Sequence, residues 1–143
     1  MTLYFRPPQG DTDTALLAEL NRQLIRDEAH RNPMNLPELE KRMKNWLADS
    51  YEAVIFSVEG AAVGYALFRF APDYVYLRHF FIASAYRRQG LGRRAFDWLR
   101  QNRWQHHAKV RVEVLSGNAR ALAFWRSVGF EDYAVTLELN HPV

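Results

Sequence analysis

The chain has 143 residues, a formal net charge of +3, 48% hydrophobic residues and no cysteine. That length suits one domain with a true core, and the apolar content speaks against disorder. The missing cysteine excludes disulfides, a thiolate zinc site and a cysteine nucleophile. Residues 1–10 carry neither the basic start nor the apolar core of a secretion signal, and no apolar run has the length needed to span a bilayer. A cytoplasmic protein is therefore expected. The net charge is too small to select nucleic acid as a partner, so the placing of the arginines matters more than their sum.

In chain order, Leu3 to Arg6 predicts a short strand closed by Pro7-Pro8-Gln9-Gly10. Asp11 or Asp13 then caps a helix running to about His30, with Leu16, Leu17, Leu20 and Leu24 on one face. Arg31-Asn32-Pro33 breaks it. A second helix starts near Asn35, with Pro37 in its first turn, Glu38 three places after the cap, and Leu39, Met43, Trp46 and Leu47 as its buried stripe. Glu52 to Val58 and Ala61 to Phe70 read as a hairpin through Glu59-Gly60, and Ala71-Pro72-Asp73 turns the chain into a strand from Tyr74 to Ile82. Leu91 to Trp104 is an amphipathic helix facing inward with Leu91, Ala95, Trp98 and Leu99. Lys109 to Leu115 alternates as a strand. Ser116-Gly117-Asn118 opens a fourth helix carrying Ala121, Phe124, Trp125 and Val128, which Gly129 stops. Phe130 to Leu139 is the last predicted strand. The order β-α-α-β-β-β-α-β-α-β predicts a mixed α/β fold in a single domain, 1–143, with a largely antiparallel sheet flanked by helices on both faces.

Between the strand ending at Ile82 and the helix beginning at Leu91 lies a run of unusual composition, Arg87-Arg88-Gln89-Gly90-Leu91-Gly92-Arg93-Arg94. Glycines at a helix start let backbone N–H groups approach a ligand closely. The helix dipole and the arginines then favour an anion, most naturally a phosphate. Gly90 to Ala95 also fits the dinucleotide fingerprint G-x-G-x-x-A, with Glu113 near the place of its ribose acid. Against that reading, Ala83 to Gln89 separates the glycines from their strand, and the single strand–helix–strand unit follows hairpins instead of opening a repeated βαβ array. No Walker P-loop is present.

Arg87-x-x-Gly90-x-Gly92 after the strand Phe80-Phe81-Ile82 resembles the pyrophosphate turn of the GNAT superfamily of acyl-CoA-dependent N-acyltransferases. A second stretch is similar to that family's other signature: Asn118, Ala121, the pair Phe124-Trp125, then Gly129-Phe130. The resemblance implies the acyl-CoA N-acyltransferase fold over nearly the whole chain. It also implies acetyl-CoA as co-substrate, held at Arg87, Arg88, Gln89, Gly90, Leu91, Gly92 and Arg93. In that family pantetheine pairs with exposed backbone of the strand before the turn, here Phe80, Phe81 and Ile82, and an N–H there can stabilise the developing oxyanion. Asn118 resembles the asparagine that contacts pantetheine, and it also suits a helix N-cap. Trp125 stands where the family commonly has a tyrosine acid. An indole donates a hydrogen bond but is no acid at neutral pH, so Trp125 reads as a wall of the cofactor site, and Tyr133 becomes the candidate acid.

Direct transfer needs a base for the amine. Tyr76, His79 and Glu113 are the candidates, each set against a plain structural role. By strand alternation, residues 76, 78, 80 and 82 share a face, and His79 faces the other way unless a bulge shifts the register. Asp27, Glu28 and His30, between the first two helices, border the expected acceptor pocket and offer negative charge to an amine. Arg78 could clamp an acceptor carboxylate. No spacing groups the histidines into a metal site. The expected function is an N-acetyltransferase moving acetyl from acetyl-CoA to a primary amine, without metal, nucleic acid or membrane as partner. A non-catalytic acyl-CoA sensor is the alternative. The acceptor stays open, as does the oligomeric state, with a homodimer among the expected forms.

Overall fold

The computed structural model describes residues 1–28 and 31–142, which fall into two compact units, Met1–Glu113 and Val114–Val143. The first unit holds strands β1 (Tyr4–Arg6), β2 (Tyr51–Val58), β3 (Ala61–Phe70), β4 (Val75–Ile82) and β5 (Val110–Val112), and helices α1 (Gly10–Asp27), α2 (Leu36–Ala48) and α3 (Leu91–Asn102). The sheet order is β1-β2-β3-β4-β5. The first four strands pair antiparallel, and β5 runs parallel to β4. The second unit contains helix α4 (Ala119–Ser127).

Local sequence accounts for the hairpin and for α2. Glu59 and Gly60 both adopt positive φ, 51° and 81°, the backbone of a two-residue turn whose twist matches its strands. Asn35 accepts the Glu38 N–H while the Glu38 side chain accepts the Asn35 N–H, each at 3.0 Å. Such a capping box is worth about 1 kcal/mol.

The central strands β2 and β3 are buried on both faces, as a sheet covered by helices requires. On one face, Leu17, Leu20 and Leu24 of α1 and Met43 of α2 pack on Tyr51, Ala53, Ile55, Tyr65, Leu67 and Phe81. On the other, Phe5 meets Phe56 edge-on and stacks on Trp98 of α3, while Trp104 sits edge-on to both Phe68 and Phe96. Trp104 lies beyond the end of α3 at Asn102, two residues short of the expected boundary, and is itself fully buried.

The start of α1 differs from expectation. Gln9 is the N-cap and contributes no side-chain bond. Asp13 works from inside the first turns: its Oδ2 accepts the Gln9 N–H at 2.7 Å, and its carboxylate accepts from both terminal Arg6 nitrogens, at 2.5 and 3.0 Å. One buried carboxylate thus ties β1 to α1. Its hydrogen bond with Arg6 holds it below the ordinary carboxylate range, against the opposing effect of burial. Stability from this group is present above the ordinary Asp range and is lost as pH falls through the lowered folded value. Asp13→Asn is expected to cost about 2 kcal/mol near neutral pH and to flatten the loss of stability between about pH 5 and 2. Urea midpoints across that range measure both effects.

Three other boundaries move. The first helix ends at Asp27, and His30 lies outside the described residues. Strand β5 is three residues long instead of seven. Residues 130–139 are not a strand of the second unit taken by itself. A strand needs a ladder partner, and among the described residues of that unit there is helix α4 and no strand.

Candidate active site

Strand β4 pairs with β3 through Gly64–Ile82 at one end and Phe70–Val75 at the other. On its opposite side it pairs with β5 only at its start, through Val75–Val110, Tyr76–Arg111 and Leu77–Val112. There the parallel ladder stops. Among the described residues of the first unit, no strand pairs with residues 78–82 on that side, so within that unit the sheet edge is open there.

A β-bulge marks the same point. Leu67 of β3 faces His79 while the next residue, Phe68, faces Leu77, leaving Arg78 as the extra residue of β4. This corrects the simple alternation. Tyr76, Arg78, His79 and Phe81 all look toward the α1–α2 side: Tyr76 and Phe81 pack on that core, Arg78 lies 4.7 Å from the Trp46 ring, and His79 meets Trp46 edge-on. Phe80 crosses to the α3 side against Phe56. Two candidates that alternation separates, Tyr76 and His79, thereby share a face.

After Ile82 the chain makes a single 3₁₀ turn, Ser84–Tyr86, and enters the arginine-glycine run. The Arg87 guanidinium does not reach outward. Its Nε donates to the Ile82 carbonyl at 2.8 Å, it lies 5.5 Å over the Phe81 ring, and it forms a short ion pair with Asp27 at the end of α1. Asp27, expected beside the acceptor, thus has its charge matched by an arginine of the turn. Arg88 (φ 61°) and Gly90 (φ 75°) are both left-handed, a winding that turns successive amides toward one concavity. The backbone bonds of this stretch are Arg87 N–H to Ser84 at 3.3 Å and Arg94 N–H to Gly90 at 3.1 Å. Among the described residues, the amides of residues 88–92 between them have no backbone acceptor, as the first turn of a helix dictates. Buried Leu91 anchors the helix start, and Arg88 and Arg93 stand exposed beside it. Open amides, a helix N-terminus and flanking guanidinium groups fit a diphosphate.

At the mouth of the open edge, the Tyr76 hydroxyl donates a short hydrogen bond to Glu113. Burial, then the bond to Glu113 and its charge, push the Tyr76 pKa up to about 12. Tyr76 consequently stays a neutral donor and cannot act as a base near neutral pH. His79 Nδ1 lies 3.0 Å from the Tyr65 hydroxyl. Burial holds the pKa of Tyr65 well above its ordinary value, so this phenol keeps its proton, and the His79 tautomer sets which of the two groups donates. Glu28 follows α1, and its charge reaches Tyr65. Sequence reasoning passed over Arg42 and Tyr51 and counted Trp46 only as core. Their signal was faint: an arginine and a tryptophan four apart on one helix face.

In the second unit, Asn118 caps α4 by accepting the Ala121 N–H at 3.1 Å. Its amide donors are left available for a ligand. Trp125 is 8% exposed and meets Phe124 and Phe130 edge-on at 4.9 and 5.0 Å, as the aromatic core of that unit. Tyr133 is exposed. Among the described residues, no three His, Asp or Glu side chains converge as metal ligands would, and no helix is long and apolar enough to cross a membrane.

Comparison with known proteins bears on this geometry. No curated protein matches the chain. Solved structures do. A possible acetyltransferase from Clostridium difficile 630 superimposes with a TM-score of 0.79 at 15% identity, covering 100% of this chain and 99% of that one. A ribosomal-protein-alanine N-acetyltransferase from Brucella melitensis biovar Abortus 2308 gives 0.76 at 14% identity, over 98% and 100%. The aminoglycoside N-acetyltransferase AAC(6')-Iy in complex with CoA gives 0.74 at 15%, over 99% and 96%. At such identities the likeness is one of fold. The family model described as the acetyltransferase (GNAT) family matches residues 17–130, and the chain belongs to that family.

Proposed function

We propose that the chain is an N-acetyltransferase that moves the acetyl group of acetyl-CoA directly to a primary amine, its 143 residues acting as one catalytic domain. The observation that carries this reading is the row of unbonded amides at residues 88–92, set at the end of a strand whose edge opens after Leu77. The diphosphate takes the turn, and pantetheine lies along residues 80–82. The thioester carbonyl then meets a backbone N–H of the open edge, which stabilises its oxyanion. The amine nitrogen attacks the carbonyl carbon, the N–C bond forms and the C–S bond breaks. Glu113 takes the amine proton, directly or through one water. The Tyr76 hydroxyl orients that carboxylate, and His79, held by Tyr65 and Trp46, positions the strand. The leaving thiolate draws its proton from water.

Calorimetric titration with acetyl-CoA, followed by an amine panel read by released coenzyme A, tests the proposal. Aminoglycosides and peptides with an N-terminal alanine belong in the panel, since the structural neighbours are named for such acceptors. Binding with turnover of any amine supports transfer. Binding with no turnover across the panel supports the sensor reading, which the tryptophan at position 125 favours. Absence of binding removes both. Glu113→Gln is expected to lower kcat about 100-fold with acetyl-CoA affinity unchanged. An unaltered kcat would remove Glu113 as the base.

A further inference from the structure

Two guanidinium groups meet on one indole. Arg42, one turn before Trp46 on α2, places its Cζ 4.4 Å from the Trp46 ring centroid, and Arg78, the bulged residue of β4, places its own at 4.7 Å. Arg42 donates one nitrogen to Asn21 Oδ1 at 3.0 Å, and Arg78 donates one to the Tyr51 hydroxyl at 3.2 Å. Both acceptors are neutral. Among the described residues, neither arginine forms an ion pair with a carboxylate, whereas Arg6, Arg22, Arg87, Arg103 and Arg126 each do. The Arg42 Nε is buried without a hydrogen-bond partner. Burial, and then the charge of Arg78, make the charged form of Arg42 harder to hold.

Each guanidinium gains from the Trp46 face, but the two like charges repel, Arg42 is half-buried and Arg78 exposed, and an anion reaching them from solvent would relieve that repulsion. The position says which molecule brings it. Arg78 stands one residue beyond the last β4–β5 pair, where the strand edge opens and the Tyr76–Glu113 pair waits. An anion held here belongs to the acceptor, since the diphosphate has its own turn at the far end of β4.

We propose that the acceptor is an amine bearing a carboxylate, the class of amino acids and carboxylate-ended amines, and that Arg42 and Arg78 over Trp46 hold that carboxylate while its amine faces Glu113. The planar guanidinium edges left unbonded match the two oxygens of a carboxylate. A polycationic aminoglycoside meets two like charges at the same place and is rejected. This inference rests on the acetyltransferase reading.

The test uses the full chain, a panel of free α-amino acids, their methyl esters and one aminoglycoside. Turnover is read by coenzyme A release, and binding by calorimetry in the presence of coenzyme A. Free acids are expected to exceed their esters at least tenfold in kcat/KM, about the effect of one lost charge-assisted bond. Arg42→Gln and Arg78→Gln each keep a polar stem against Trp46 and are expected to raise KM for the acid about tenfold. Values for the ester and the affinity for acetyl-CoA stay unchanged. Equal use of acid and ester, or preference for the aminoglycoside, overturns the proposal. If no amine is turned over, binding decides: an acid that binds tighter than its ester, and loses that advantage in both variants, upholds the carboxylate site while the transfer reading fails. Equal binding overturns the site.

Discussion

Gly64→Ala is expected to destabilise the first unit by about 3 kcal/mol or more, with Tm falling roughly 10 °C. A Cβ at this position would lie 2.0 Å from the Phe81 carbonyl oxygen and 3.2 Å from the Ile82 Cα. Both are backbone atoms of β4, so no side chain can swing aside, and the strands must separate. Against a typical domain stability of about 5–15 kcal/mol this is a large fraction. Gly117→Ala is the control: nothing lies within 4 Å of its Cβ position, and its φ is ordinary. Thermal melts of the two variants beside the parent measure the difference. A Tm for Gly64→Ala close to that of Gly117→Ala would show that the β3–β4 spacing yields easily. Gly64 lies opposite Ile82 at the end of β4, so under the proposed function the same variant is expected to lower acetyl-CoA affinity as well.

The second large effect falls on the arginine-glycine turn. Gly90→Val is expected to weaken acetyl-CoA binding at least tenfold while leaving the fold intact. Gly90 sits at φ 75°, and nothing lies within 4 Å of where its Cβ would be. The substitution therefore acts through the backbone and not by collision with the core. A side chain in the left-handed region costs about 1–2 kcal/mol, and more when β-branched. The loop relieves that strain by rewinding, which turns the amides of residues 88–92 off their common target. A shift of 1.4 kcal/mol already corresponds to tenfold in affinity. Calorimetry with acetyl-CoA gives the affinity, and a melt shows that the fold survives. Unchanged affinity would mean that the diphosphate is held elsewhere.

The features legible in the chain are those whose causes lie within a few residues of one another. The Asn35–Glu38 capping box, the Glu59-Gly60 hairpin, the apolar stripes of α1 and α2, and the glycine-bearing start of α3 each depend on neighbours one to four positions apart. Such spacing is visible in a line of letters. The run from Arg87 to Gly92 was readable for the same reason, since a helix start exposes its own amides whatever surrounds it.

Contacts that close over long separations were decided only by the tertiary structure. The bulge at Arg78 depends on β4 being gripped by β3 on one side and released by β5 on the other. Alternation assumes a one-to-one ladder and cannot foresee an extra residue. Arg87 found Asp27 sixty positions away, so two residues expected to face different ligands neutralise each other. Tyr76 and Glu113 came together because β4 lies parallel to β5, and Arg42 and Arg78 met on Trp46 because α2 packs against the sheet beside the bulge. Sequence order thus determined most of the elements and where a helix start leaves its amides open. Packing determined which charges are already satisfied and which still await a partner.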